Sequence, residues 1–280
     1  NFEKRNFINY GATANQGNYL IISNPLLYTS TSGANNVDLY RQYRGSAAGG
    51  GYNAKLIDIN ELVDQFAYGI KKHPSAIKDF VQFATNSFSI KPRYLFLIGK
   101  GIQYDEYCIN QTSIYADKLN LVPTFGAPAS DIELVSLYGS LVPGIPVGRL
   151  SAVSGDEVGS YLEKLKEYEL EEKSTTQTEA NKLWMKKVVN IVGGKDSSEN
   201  DLFGYYMNNY KAIVEDTLFG ANVETFSKSS SAAVQQISSQ RINDLFSSGI
   251  NLLAYFGHSS ANLLEFNLSD PTEYNNQGKY

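Results

Sequence analysis

A chain of 280 residues with 42% apolar and 19% charged side chains has the composition of a folded protein, long enough for one large α/β domain or two smaller ones. Its net charge of −5, with no block of lysine or arginine, argues against nucleic acid as a partner, and no run is apolar enough to span a bilayer. The single cysteine, Cys108, rules out a disulfide within the chain, and two histidines, His73 and His258, argue against a zinc site.

In chain order, residues 1–17 are polar and irregular and read as a lead-in from an upstream region. Asn1 to Arg5 have none of the features of a signal peptide and read as a cut made inside a longer protein. Tyr19 to Ser23 is a short buried strand, Asn36 to Arg44 a helix, Gly45 to Gly51 a loop and Lys55 to Ile59 the next strand. Pro74 fits the first position of a helix that turns Ile77, Phe80, Val81 and Ala84 inward. Tyr94 to Ile98, aromatic and branched, is a strand, and residues 99–149 read mostly as loop. Ser154 to Glu157 is a capping box opening a helix with an inner stripe of Val158, Tyr161, Leu162, Leu165 and Tyr168.

Residues 173–181, charged and polar, read as an exposed linker, after which the alternation restarts. Val188 to Val192 is a strand, 197–215 a helix, Asn222 to Phe226 a strand, 231–247 a helix and 249–258 a final strand. Strands alternating with helices predict mostly parallel sheets with right-handed crossovers. The expected organisation is a lead-in (1–17), an N-terminal α/β subdomain (18–172), the linker (173–181) and a C-terminal α/β subdomain (182–280).

The last strand is the most informative. Its apolar side chains predict a strand paired on both sides, and it delivers His258 into a turn rich in glycine and serine. Gly257 allows a sharp break beside the histidine. An imidazole at the carboxyl end of a sheet strand stands where α/β folds place ligands, and it moves protons near neutral pH. The alternative is a histidine that only caps the strand.

The pattern Gly-Ile-x-Leu-x-x-Tyr-x-Gly-His, Gly249 to His258, resembles the histidine strand of the gingipain family of cysteine peptidases, which belongs to the caspase-like peptidases. Ala129-Ser130-Asp131, then Ile145 to Ser151 with its Val-Gly-Arg-Leu, then the long helix to Glu169 agree with that family in order. So do Phe66-x-Tyr68-Gly69 and Pro74 to Phe80 ahead of the strand Tyr94 to Gly99. Together these features are most similar to the members that act as sortases in the type IX secretion system of Bacteroidetes.

The resemblance implies a caspase-like three-layer sandwich of mostly parallel sheets with helices on both faces, in two similar subdomains. It implies cysteine endopeptidase or transpeptidase chemistry through a Cys-His dyad, with His258 as general acid and base. The turn Gly257–Ser259 would lend backbone N–H groups to the oxyanion; Ser259 replaces the glycine usual in that family but keeps the N–H. The nucleophile would sit on a strand after Tyr280, so the C-terminal subdomain is incomplete and the chain alone inactive. Glu199 and Asp201 fall near the acidic residue that contacts a basic substrate side chain in the arginine-specific members, with a helix cap as the competing reading. The glutamate that assists the histidine in those relatives falls near Val192, so no such helper is expected. Substrates would be secreted proteins carrying C-terminal sorting domains, at the surface or outer membrane of a Gram-negative bacterium, and no cofactor is required.

Other features have weaker readings. Cys108 reads as an inert small hydrophobe rather than a nucleophile. Gly99-Lys100-Gly101 and Gly193-Gly194-Lys195 follow strands and could cradle a phosphate, but match no nucleotide fingerprint. Asp105, Glu106, Asp117 and Asp131 could hold calcium as a structural ion, without the spacing of an EF-hand. A degenerate peptidase domain serving as a scaffold, and a Rossmann-like ligand-binding domain, are the rival functions.

Overall fold

The computed structural model describes residues 6–110, 112–140, 142–173, 178–227 and 232–259, with Leu264, Phe266, Leu268, Asp270, Glu273, Tyr274 and Asn276; of 232–238 it describes the backbone alone. The chain divides into two compact units, Asn1–Lys173 and Ser174–Tyr280.

The first unit is built on a parallel sheet of β1 (Tyr19–Ser23), β2 (Ala54–Asp58), β3 (Tyr94–Ile98) and β4 (Val147–Leu150), in the order β2-β1-β3-β4. Every residue of the inner strand β1 is buried, as a strand covered on both faces requires. Its side chains alternate. Leu20 and Ile22 join the core beneath α2 (Ile59–Phe66) and α3 (Ser75–Ser87), and Tyr19 and Ile21 join the core beneath α1 (Asn36–Gly45) and α7 (Gly155–Lys173).

Helix α2 is absent from the sequence expectation because β2 runs straight into it. Asp58 ends the strand and caps the helix, accepting the N–H of Asn60 at 2.8 Å, so no turn residue marks the boundary. Pro74 sits one position before the first residue of α3 rather than on it. At the start of α7 the Ser154 hydroxyl accepts the N–H of Glu157, whose carboxylate takes the N–H of Val153.

The segment between β3 and β4 is less irregular than expected. It holds the short helices α4 (Tyr104–Ile109), α5 (Ile114–Leu119) and α6 (Ile132–Val135), none long enough to show a periodicity. Arg149 in β4 ties this segment to the end of the sheet. Its guanidinium makes a two-pronged contact with Asp131, 2.7 Å on each arm, and donates to the carbonyls of Gly99, Val122 and Pro123. Removing one partner of so enclosed a pair costs about 3–5 kcal/mol. The Val-Gly-Arg-Leu run and Ala129-Ser130-Asp131 thus have a structural reason for occurring together.

The second unit is a parallel sheet of β5 (Lys187–Gly193), β6 (Asn222–Ser227) and β7 (Leu252–Gly257), in the order β6-β5-β7, with helices α8 (Glu179–Lys182), α9 (Ser197–Val214) and α10 (Ala232–Ser248). Val189 and Ile191 of β5 pack with Ile242 and Leu245 of α10, and α9 lies against the other face. Strand β7 differs from its expectation. Among the described residues it pairs with β5 alone, and Leu252 and Phe256 remain 50% and 38% exposed. Part of the expected linker, residues 174–177, lies outside the described residues; Lys173 ends α7 and residues 179–182 form α8.

Candidate active site

His258 follows directly on β7. Its backbone N–H donates to the Gly193 carbonyl at 2.9 Å, continuing the pairing of β7 with β5 by one residue. Gly257 and Gly193 are register partners, and a Cβ on Gly257 would stand closer than 3.0 Å to the Gly193 backbone. Glycine is needed there for close approach. Its φ is not in the left-handed region, so the sharp break expected at that position is not what it provides.

The same register brings a carboxylate to the imidazole. Strand β5 ends at Gly193 and leads within a few residues into α9, so the first turn of that helix lies beside the tip of β7. Asp196 caps α9, accepting the N–H of Glu199 at 2.9 Å. Glu199 reaches back past the cap, its Oε2 accepting the N–H of Lys195, the residue before Asp196, at 2.8 Å. The same Oε2 is 3.0 Å from Nε2 of His258. The side chains of His258 and Glu199 stay 39% and 32% exposed, so the pair is reachable from solvent. A carboxylate accepts, so Nε2 carries the hydrogen and Nδ1 is left to exchange a proton. Phe203, one turn further along α9, stands against both the imidazole and Phe256, with centroids 5.8 and 4.6 Å away.

The two acidic candidates therefore part. Glu199 stands against His258. Asp201 is two residues on, about 200° round the helix, exposed, and without a hydrogen bond or ion pair among the described residues. The structure places Glu199, rather than a residue near Val192, against the imidazole; its sequence signal is Asp196-x-x-Glu199 at the start of the helix after β5.

Below the histidine, Tyr206, Met207 and Tyr210 of α9 and Ala254, Tyr255 and Phe256 of β7 line an apolar pocket of about 460 Å³ that no carboxylate enters. Cys108 is exposed on α4 in the first unit, whereas His258 belongs to the second. The glycine-rich segments spend their N–H groups inside the chain. Gly99 and Lys100 donate to Leu150 and Ala152, Gly194 to the Asn200 side chain and Lys195 to Glu199, which leaves those donors unavailable to a phosphate. Of the acidic residues considered for calcium, Asp131 is held by Arg149 and Asp117 by Lys71, and the described residues contain no group of three or more His, Cys, Asp or Glu placed to hold a metal.

The chain is similar to known proteins in sequence family and in fold. The sequence model of peptidase family C25 matches residues 12–280. The crystal structure of the Arg-specific cysteine proteinase gingipain R is similar to the chain, with a TM-score of 0.52 and 14% identity, over 92% of this chain and 50% of that one. The chain thus spans half the length of that protein, and the likeness identifies the fold as the caspase-like α/β type. No curated protein sequence matches the chain.

Proposed function

The chain belongs to peptidase family C25, and on that premise we propose that it is the histidine-bearing part of a cysteine endopeptidase or transpeptidase. The observation that carries this reading is the His258–Glu199 pair at the tip of β7. His258 takes the proton of the nucleophilic thiol and returns it to the leaving amine, while Glu199 fixes which ring nitrogen does so. The thiolate adds to the substrate carbonyl, the C–N bond breaks and a thioester forms. Water or an incoming amine then attacks the thioester, giving hydrolysis or transfer and restoring the thiolate. The Ser259 N–H, next to Gly257 and His258, is one donor to the tetrahedral oxyanion.

The cysteine comes from polypeptide beyond Tyr280. Among the described residues β7 pairs with β5 alone and leaves Leu252 and Phe256 exposed, which supports a further strand on its other side, because an exposed apolar edge is a template for pairing. A further strand laid on β7 would bury that surface and bring its own side chains to the His258 end. Glu199 faces the imidazole and Asp201 lies about 200° round α9 from it, so neither is assigned to a basic substrate side chain. The family resemblance supports secreted proteins with C-terminal sorting domains as substrates. It also supports a location outside the cell or at the outer membrane of a Bacteroidetes-type bacterium, in type IX secretion.

The full-length protein treated with a peptidyl chloromethylketone or epoxide should be labelled on one cysteine in the strand after Tyr280, with labelling lost in His258→Ala. Labelling that is equal in the variant, or a Ser or Gly at the nucleophile position, overturns the reading.

A further inference from the structure

The turn after β7 is also held from the side opposite its histidine. Side chains alternate along the strand, so Tyr255 stands on the α10 face while Ala254, Phe256 and His258 share the other. The Tyr255 hydroxyl donates to the carbonyl of His258 at 2.9 Å and accepts the N–H of Phe266 at 3.2 Å. Phe266 is itself buried in the core beneath α10. Room for the hydroxyl exists because residue 193 is glycine. A Cβ there would stand closer than 3.0 Å to the hydroxyl oxygen and would press on the Phe266 nitrogen at 3.2 Å. A single hydroxyl group thus ties the tip of β7 to the chain that returns at Phe266.

This tie has a direction. In a trans peptide the C=O and N–H point opposite ways, and the bond after His258 is trans. Holding the His258 carbonyl towards Tyr255 turns the Ser259 N–H away from Tyr255, which stands on the face opposite the imidazole. We propose that Tyr255 is a positioning residue, which aims the Ser259 N–H at the oxyanion by fixing the carbonyl of His258. The inference rests on the peptidase reading above. Tyr255 touches no reacting atom and acts only through the peptide it holds. Deleting an oxyanion donor outright costs about 100- to 1,000-fold in kcat; a donor left in place but free to swing costs about tenfold.

Tyr255→Phe in the full-length protein should lower kcat about tenfold with KM and the pH profile unchanged, because substrate contacts and the His258–Glu199 pair are untouched. Amide hydrogen exchange on the 280-residue chain gives a readout that needs no cysteine. Phe266 should exchange at least about tenfold faster in the variant, with Val189 and Ile191 of β5 unchanged. Gly193→Ala, which crowds the hydroxyl from the other strand, should reproduce both results. An inactive wild-type protein sinks the peptidase reading itself. An active one whose Tyr255→Phe variant keeps its kcat, loses KM instead, or exchanges faster throughout β5 sinks the role of Tyr255 alone.

Discussion

Glu199 shows how one side chain can satisfy two readings at once. It caps α9, as acidic residues in a first helical turn do, and with the same oxygen it holds the ring of His258. The sequence displays the first role through Asp196-x-x-Glu199 but cannot display the second. The two residues are 59 positions apart and meet only because Gly193 and Gly257 are register partners. The position of His258 was legible, since an apolar run ending in Gly-His reads as a strand that delivers its histidine to a turn. The two roles of Glu199 can be separated. Glu199→Gln keeps an oxygen for the cap but loses the charge beside the imidazole. Peptidase activity of the full-length protein should then fall about 100-fold, with the thermal midpoint nearly unchanged. Glu199→Ala should lose the cap as well and destabilise the chain by about a further 1 kcal/mol, read from denaturant unfolding.

The elements differ in how openly they are written. Strands β1, β3 and β5 are mostly apolar, β5 broken by the buried Asn190, and lie inside their sheets. Helix α2 was missed because its cap, Asp58, is also the last residue of a strand. Strand β7 was expected to be enclosed because composition reports what a strand can bury and not what lies beside it. The contact between α1 and α7 carries a pH dependence. Tyr40 stacks on Phe96, and Phe96 on Tyr161, while Tyr43 and Arg44 both bind Glu169 at 2.6 Å. Desolvation, reinforced by Glu169, pushes the Tyr43 hydroxyl up to about 12, and burial raises Tyr19, Tyr40 and Tyr161 as well. A phenol whose proton is held more tightly in the folded state contributes stability that is complete below the ordinary tyrosine value near 10 and is lost as pH rises through about 12. Denaturant midpoints should therefore decline across that interval. Tyr43→Phe should make the decline shallower, with tyrosinate absorbance following the late-titrating group.

At the scale of the whole molecule, the alternation of strands and helices was enough for two α/β units, and the division after Lys173 falls at the start of the polar segment 173–181. Strand order was not legible. Both β1 and β5 come first in their units yet lie inside their sheets, and only the pairing shows it. The glycine-rich segments were ambiguous because a loop that binds phosphate and a loop that closes on its own backbone use the same residue for the same lack of a side chain. The structure shows their N–H groups engaged within the chain. Common nucleotides should accordingly leave the thermal midpoint of the 280-residue chain where it is, whereas a Rossmann-like ligand site would raise it with ligand concentration. Differential scanning fluorimetry at millimolar ATP, GTP and NAD distinguishes the two.

The double duty of one Glu199 oxygen links two kinds of failure. The first turn of a helix is the part that opens most readily as a protein warms. When that turn of α9 loosens, the imidazole loses its anchor while the sheet beneath is still whole. On the peptidase reading, heat would silence activity before it melts the fold, and cooling would restore it without any need to refold.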